Sequence, residues 1–211
     1  MNKQDWEKQW KILDWMMFIF KPLELLIRNS IHRGMIRLLN DKHLTNPNIL
    51  ELGAGTGKES AWLASKLNGS TTLVDNCDFV IEKSKKYFSK KAVNVQFINK
   101  DIRKLDIKEE YDLALSVGLI EHFYGSDLKL IFNKHINAVK KSGYVIVFTP
   151  RASSLYFTYK KILTMLRLWM WDEKPFSKED FINLAKPGNS ELTGITNVIF
   201  GLWSGALFKK L

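Results

Sequence analysis

Glu121 and His122 stand side by side at the end of the run Ser116-Val117-Gly118-Leu119-Ile120-Glu121-His122-Phe123. Imidazole titrates at about 6.5, so His122 is a candidate general base for an acceptor hydroxyl, with Glu121 as its companion. The same pair can equally cap or orient a loop. A second group suggests binding: Glu51, Gly53, Ala54, Gly55 and Gly57, in the order Glu-x-Gly-x-Gly-x-Gly. Glycines accept backbone angles that a side chain forbids and let a ligand lie against the main chain. A carboxylate beside such a turn repels phosphates and attracts an ammonium group, whereas a dinucleotide site spaces its glycines G-x-G-x-x-G. Asp75, followed by Asn76, is placed to accept both hydroxyls of a ribose, or to cap the helix starting near Asp78.

These residues need a scaffold of alternating strands and helices. Ile49–Leu52 reads as a buried strand, Lys58–Leu67 as a helix, and Thr71–Asp75 as a second strand, which makes a βαβ unit. A helix over 78–90 leads to a third strand at Val93–Ile98, ending before Asp101 and Ile102. Tyr111–Val117 is apolar enough for the centre of a parallel sheet, and its tail carries Glu121 and His122 to the edge where such sheets bind ligands. A helix over 127–139 is expected to stop at Lys140-Lys141-Ser142-Gly143 before a fifth strand, Tyr144–Phe148. His135, within that helix, reads as structural.

The glycine pattern resembles the first motif of the class I S-adenosylmethionine-dependent methyltransferases, where the acidic residue serves the amino group of the methionine moiety. SVGLIEHF resembles the fourth-strand motif of family members that act on small molecules and quinone-type lipids. The resemblance covers residues 48–150 and implies a Rossmann-like, doubly wound, mostly parallel α/β sheet binding S-adenosyl-L-methionine. It assigns Glu51, Gly53, Ala54, Gly55 and Gly57 to the methionine end, Asp75 and Asn76 to ribose, Asp101 and Ile102 to adenine, and the Ser116 main chain to the sulfonium region. Some quinone and RNA methyltransferases carry Glu-x-x-Glu-His at the fourth strand and bind magnesium. Gly118 replaces the first Glu here, so no metal is expected.

Outside that stretch the chain is richer in apolar residues. Trp6, Trp10, Leu13 and Met17 recur at helical spacing, and 12–20 is too short to span a bilayer, which needs about 20 apolar residues. Residues 1–47 form a helical extension: core cover, lid, or a surface meeting lipid. The stretch 151–176 reads as a hydrophobic, basic helical insertion that walls the acceptor pocket and packs on the N-terminal extension. Ser177 with Asp180 marks a helix start. Leu192–Phe200 and Leu202–Phe208 read as a sixth strand and an antiparallel seventh, in a tail short for a complete seven-stranded sheet.

Composition narrows the class. The chain has 211 residues, 45% hydrophobic, with a net charge of +10 from 32 Lys and Arg against 22 Asp and Glu. One cysteine, Cys77, excludes a disulfide framework and a zinc cluster and favours a cytoplasmic setting, with membrane-surface contact left open. The basic balance is a solvated surface; no nucleic-acid motif stands out. The expectation is a methyltransferase domain over 48–211 acting on a small, lipophilic or aromatic acceptor by in-line displacement. A non-catalytic binding module and a nicotinamide-dependent dehydrogenase are the alternatives. Acceptor identity and oligomeric state are not written in the sequence.

Overall fold

The computed structural model describes residues 6–12, 21–89, 91–169 and 172–211. The expected positions Leu13 and Met17 lie outside these, as does most of 12–20. Seven strands form one sheet in the order β3-β2-β1-β4-β5-β7-β6. They are β1 (Asn48–Leu52), β2 (Ser70–Asp75), β3 (Val95–Asn99), β4 (Tyr111–Val117), β5 (Val139–Pro150), β6 (Ser190–Val198) and β7 (Trp203–Lys210). The first five pair in parallel, and β7 runs antiparallel between β5 and β6. The helices are α1 (Lys21–Leu39), α2 (Lys58–Lys66), α3 (Asp78–Phe88), α4 (Gly125–Ala138), α5 (Ser154–Met165) and α6 (Lys178–Ala185).

Strand pleating sorts the apolar residues into two layers. Leu50, Leu52 and Ala114 face one cluster with Ile131 and Phe132 of α4 and Phe181 of α6. Ile49, Leu113 and Leu115 face the other, with Ile31 and Met35 of α1 and Leu63 of α2. Successive strand residues point to opposite faces, so a sheet covered on both sides needs an unbroken apolar run. The chain winds outward from β1 to β3, then returns to lay β4 on the other flank of β1. This reversal opens a crevice at the carboxyl ends of β1 and β4.

Three expectations need correction. The lysines at 140 and 141 do not end a helix: α4 stops at Ala138, and 139–143 begin β5 through a bulge in which Ser142 takes φ 63°. Tyr111 pairs with Val139 but Leu113 with Tyr144, so the extra residues are absorbed there, and Lys140 Nζ reaches Asp112 Oδ1 at 2.7 Å. The tail also suffices for seven strands, because β6 and β7 are joined by a single 3-10 turn, Ile199–Gly201. Finally, α5 is shorter than the apolar run. Its outward side chains Leu155, Phe157, Ile162 and Met165 are exposed and not packed away. No helix among the described residues is long and apolar enough to cross a membrane.

Candidate functional site

The turn after β1 is shaped by its glycines. Gly53, Gly55 and Gly57 all have positive φ, between 52° and 63°. A Cβ on Gly53 would lie 2.6 Å from Leu119, and one on Gly55 would meet the Trp10 ring at 2.5 Å. Gly57 caps α2 and packs over Leu73. Within the turn itself, Gly53 and Ala54 line the cleft, whereas Gly55 lies under the Trp10 ring and Gly57 packs over Leu73.

Glu51 also lines the cleft although it is almost wholly buried. Its Oε2 accepts the Ser60 hydroxyl at 2.5 Å and the Ser60 amide at 3.3 Å, and its Oε1 has no partner among the described residues. Burial raises its pKa from 4.5 to about 8; the Ser60 hydroxyl pulls the other way, and Glu59 adds to the rise. A carboxylate in this condition is short of a cation.

Asp75 is held by the backbone on both sides. Oδ2 accepts the Gly55 amide and Oδ1 the Cys77 amide, each at 2.9 Å, so it pins the glycine turn and the start of α3 while still lining the cleft with Asn76. A carboxylate has about four lone-pair directions, which leaves capacity for a ligand. Asp101 and Ile102 line the cleft as expected. Asp101 caps a 3-10 turn and is forked by Arg103 at 2.7–3.1 Å, which holds its carboxyl below the usual range.

A charged group that the sequence reading did not identify joins α1 to α2 beside the glycine turn. Arg28 Nε donates to Glu59 Oε1 at 3.0 Å, Lys58 Nζ pairs with Glu24 at 3.1 Å, and His32 Nε2 lies 2.6 Å from Glu59 Oε2. Glu24, Arg28, Lys58 and Glu59 all line the cleft. Leu23 and Leu26 on the same helix are 52% and 58% exposed.

Ser116 is not in the cleft. Its hydroxyl lies 3.0 Å from His135 Nε2, and His135 Nδ1 lies 2.8 Å from the Ile131 carbonyl. A carbonyl only accepts, so Nδ1 carries the proton and Nε2 accepts from Ser116. The pair is a buried tie between β4 and α4, and burial pulls the His135 pKa down to about 4. Val117 and Gly118, at the strand's tip, take the cleft position expected of Ser116.

Beyond them, a 3-10 turn at Ile120–His122 points Glu121 and His122 into the other half of the cleft. His122 Nδ1 lies 2.7 Å from the Asp172 carbonyl, so Nδ1 is again the protonated nitrogen and Nε2 keeps its lone pair. Burial lowers the His122 pKa. Glu121 is fully buried, its pKa pushed well up by desolvation, and neither of its carboxylate oxygens has a partner among the described residues. The segment facing it is held by backbone bonds: Lys174 N to Glu121 O, Phe176 N to Pro150 O and Ala152 N to Phe176 O, at 2.8–2.9 Å. It brings Glu173 beside Glu121 and His122, with one potential ligand atom of each within 4.8 Å of the others. Tyr156 donates its hydroxyl to Glu173 Oε1 at 2.5 Å, and Tyr124 donates to Asp172 Oδ1 at 3.1 Å.

The sequence did carry a signal for this corner. Asp172 and Glu173 are the only acids in an otherwise apolar and basic stretch from Ser153 to Phe176. Tyr156, Tyr159 and Trp169 line the same wall, with Lys160 Nζ 5.0 Å from the Trp169 ring centre. Residues 6–12 are helical and lie across both halves: Trp10 rests on Gly55, and Trp6 meets the His122 ring edge-on at 4.9 Å. The cleft as a whole encloses about 760 Å³, within the usual range for small-molecule sites.

Residues 49–143 match the family model described as a methyltransferase domain. Among curated proteins, the chain is 22% identical to the ubiquinone biosynthesis O-methyltransferase of Pelagibacter ubique, over 87% of this chain and 78% of that one. By the family match, the stretch 49–143 is thus a methyltransferase domain. It is also 28% identical to a malonyl-[acyl-carrier protein] O-methyltransferase of Acetivibrio thermocellus, over 67% of this chain but only 50% of the relative's length. The methyltransferase fold is the same in an S-adenosylmethionine-dependent methyltransferase from Clostridium acetobutylicum, with a TM-score of 0.73 at 16% identity, covering 94% of this chain and 99% of the other. Magnesium protoporphyrin IX methyltransferase from Synechocystis gives a TM-score of 0.71 at 14% identity, over 92% and 88%.

Proposed function

We propose that this methyltransferase acts on a small, lipophilic or aromatic acceptor, with the donor in the half of the cleft between the glycine turn and α1 and the acceptor in the half between His122 and α5. The observation that carries this reading is the division of the cleft by chemistry. The donor half has a buried carboxylate, Glu51, with one oxygen unpartnered among the described residues, and a cationic side chain, Arg28, on the facing helix. The acceptor half is walled by Trp6, Tyr124, Tyr156, Tyr159, Trp169 and Trp203. Aromatic walls recognise flat apolar molecules, with polar groups at the rim setting orientation.

S-adenosylmethionine, when bound, supplies an electrophilic methyl group on a sulfonium. The chain's own residues bind and align. Glu51 accepts the donor's ammonium, Arg28 faces its carboxylate, Asp75 and Asn76 take the ribose hydroxyls, and Asp101 and Ile102 hold adenine. Gly53 and Ala54 form the floor, and the bare backbone of Gly118 lies near the sulfonium. His122 Nε2 has a free lone pair and can accept a proton from an acceptor hydroxyl. Alignment of the two partners supplies much of the rate in a transfer of this type. The test is labelled-methyl transfer into separated lipid, small-molecule and nucleic-acid fractions. Label appearing in small aromatic or lipophilic products supports the reading, and label confined to nucleic acid or protein overturns it.

A further inference from the structure

Glu121 stands out among the described residues as a buried side chain with two unpartnered polar atoms. It is 0% exposed, and both of its oxygens are without a hydrogen-bond partner among the described residues. Burying a carboxylate with nothing to compensate it costs several kcal/mol, so buried acids are normally paired or bound to a metal. Glu173 and Asp172 stand beside it, and none of the three forms an ion pair with Lys or Arg among the described residues, in a chain whose net charge is +10. Lys174, the nearest cation in sequence, is engaged by Asp180 at 2.7 Å.

We propose that Glu121, His122 and Glu173 form a binding site for a divalent cation in the acceptor half of the cleft. One ligand atom from each already lies within 4.8 Å of the others. Small rotations of the two carboxyl groups bring them onto one ion with bonds of about 2.1 Å. The surrounding bonds are those that orient metal ligands. His122 donates Nδ1–H to the Asp172 carbonyl, which fixes the tautomer with Nε2 bare, and Tyr156 donates to one oxygen of Glu173, leaving the other open. Two carboxylates and one imidazole suit Mn²⁺ and its neighbours, and three protein ligands leave coordination positions free. Gly118 contributes no ligand; the third comes from the chain returning after α5.

The consequence for the acceptor rests on the reading given above, whereas the cation site itself does not. A cation here would lower the pKa of an acceptor hydroxyl bound to it, so that its proton would pass to solvent water, and His122 would act as a ligand and not as the base. The acceptor would then be an oxygen nucleophile, a phenol or a molecule with adjacent oxygens.

The test uses the full chain, stripped with EDTA and titrated with Mn²⁺ in the absence of donor and acceptor, with free Mn²⁺ followed by electron paramagnetic resonance. One Mn²⁺ should bind per chain. Glu121→Gln and Glu173→Gln should each weaken binding about 10-fold or more, and Tyr156→Phe by less. Each variant is also titrated with S-adenosylhomocysteine, so that a lost fold is told apart from a lost ligand. Absence of stoichiometric Mn²⁺ binding to the wild-type chain overturns the proposal, as does unchanged Mn²⁺ affinity in folded Glu121→Gln and Glu173→Gln. Mn²⁺ bound without transfer to any small acceptor would keep the cation site and remove the acceptor reading; transfer without Mn²⁺ binding would do the reverse.

Discussion

The Trp10 indole lies against the backbone of Gly55 so closely that a Cβ on the glycine would sit 2.5 Å from the ring. Residues 6–12 are therefore in contact with the glycine turn, and we propose that they cover the donor bound there. Trp10→Ala should weaken S-adenosylhomocysteine binding about 10-fold, mainly through faster release, with little change in thermal stability. Stopped-flow dissociation measures this, and an unchanged off-rate removes the covering role. Gly55→Val adds a clash to a φ of 52° and should abolish donor binding while leaving the circular dichroism spectrum native.

Glu51 couples donor binding to pH. Its pKa of about 8 means that it is mostly protonated in the free protein at neutral pH. A bound ammonium favours the ionised form, so binding expels a proton and affinity climbs as pH rises from 6 towards about 8. Calorimetry in phosphate and in Tris should give binding enthalpies that differ by the heat of buffer protonation. Equal enthalpies would rule this coupling out. Glu51→Gln should remove the difference and cost about 2 kcal/mol of affinity.

The tie between Ser116 and His135 is a stability element with a defined pH window. The imidazole has a folded pKa of about 4 against 6.5 ordinarily, so the unfolded chain takes up the proton first. Its contribution is complete above pH 6.5 and lost progressively as pH falls towards 4, in total about 3 kcal/mol at about 1.4 kcal/mol per pH unit. Urea titrations across that range should show a steeper loss in the wild type than in His135→Phe. Ser116→Ala leaves Nε2 unsatisfied and should cost about 1–3 kcal/mol at neutral pH without altering donor affinity.

Arg28 sits on α1, outside the domain that the family model covers, yet lines the donor half of the cleft. Arg28→Ala should raise the dissociation constant for S-adenosylmethionine about 10-fold and leave that for 5′-methylthioadenosine, which lacks the carboxylate, unchanged. A parallel loss for both ligands would show that Arg28 acts only by bracing Glu59.

Most of the sheet was legible because its strands are short apolar runs ended by glycine, proline or an acid. Ile49–Leu52 and Thr71–Asp75 could be read in this way with no knowledge of their neighbours. The Ser177–Asp180 capping box was equally plain and is formed in full. The bulge at 139–143 was not, since the extra residues make sense only opposite Tyr111 and Leu113 on another strand. Ser116 was misplaced for a related reason. Its main chain was expected at the cleft, but the lining begins one residue later, at Val117 and Gly118, and its hydroxyl turns to His135. Glu173 went unread because what joins it to Glu121 is a backbone hydrogen bond between residues 53 positions apart, Lys174 to Glu121.

The position of β7 sets an order of events during synthesis. It is made after β6 yet lies inside it, paired with β5 on one edge and with β6 on the other. Until residues 203–210 leave the ribosome, β6 has nowhere to dock and β5 offers a bare, apolar margin to any passing strand. A nascent chain stalled before that point carries its glycine turn and its acidic corner already encoded, but with an open seam beside them.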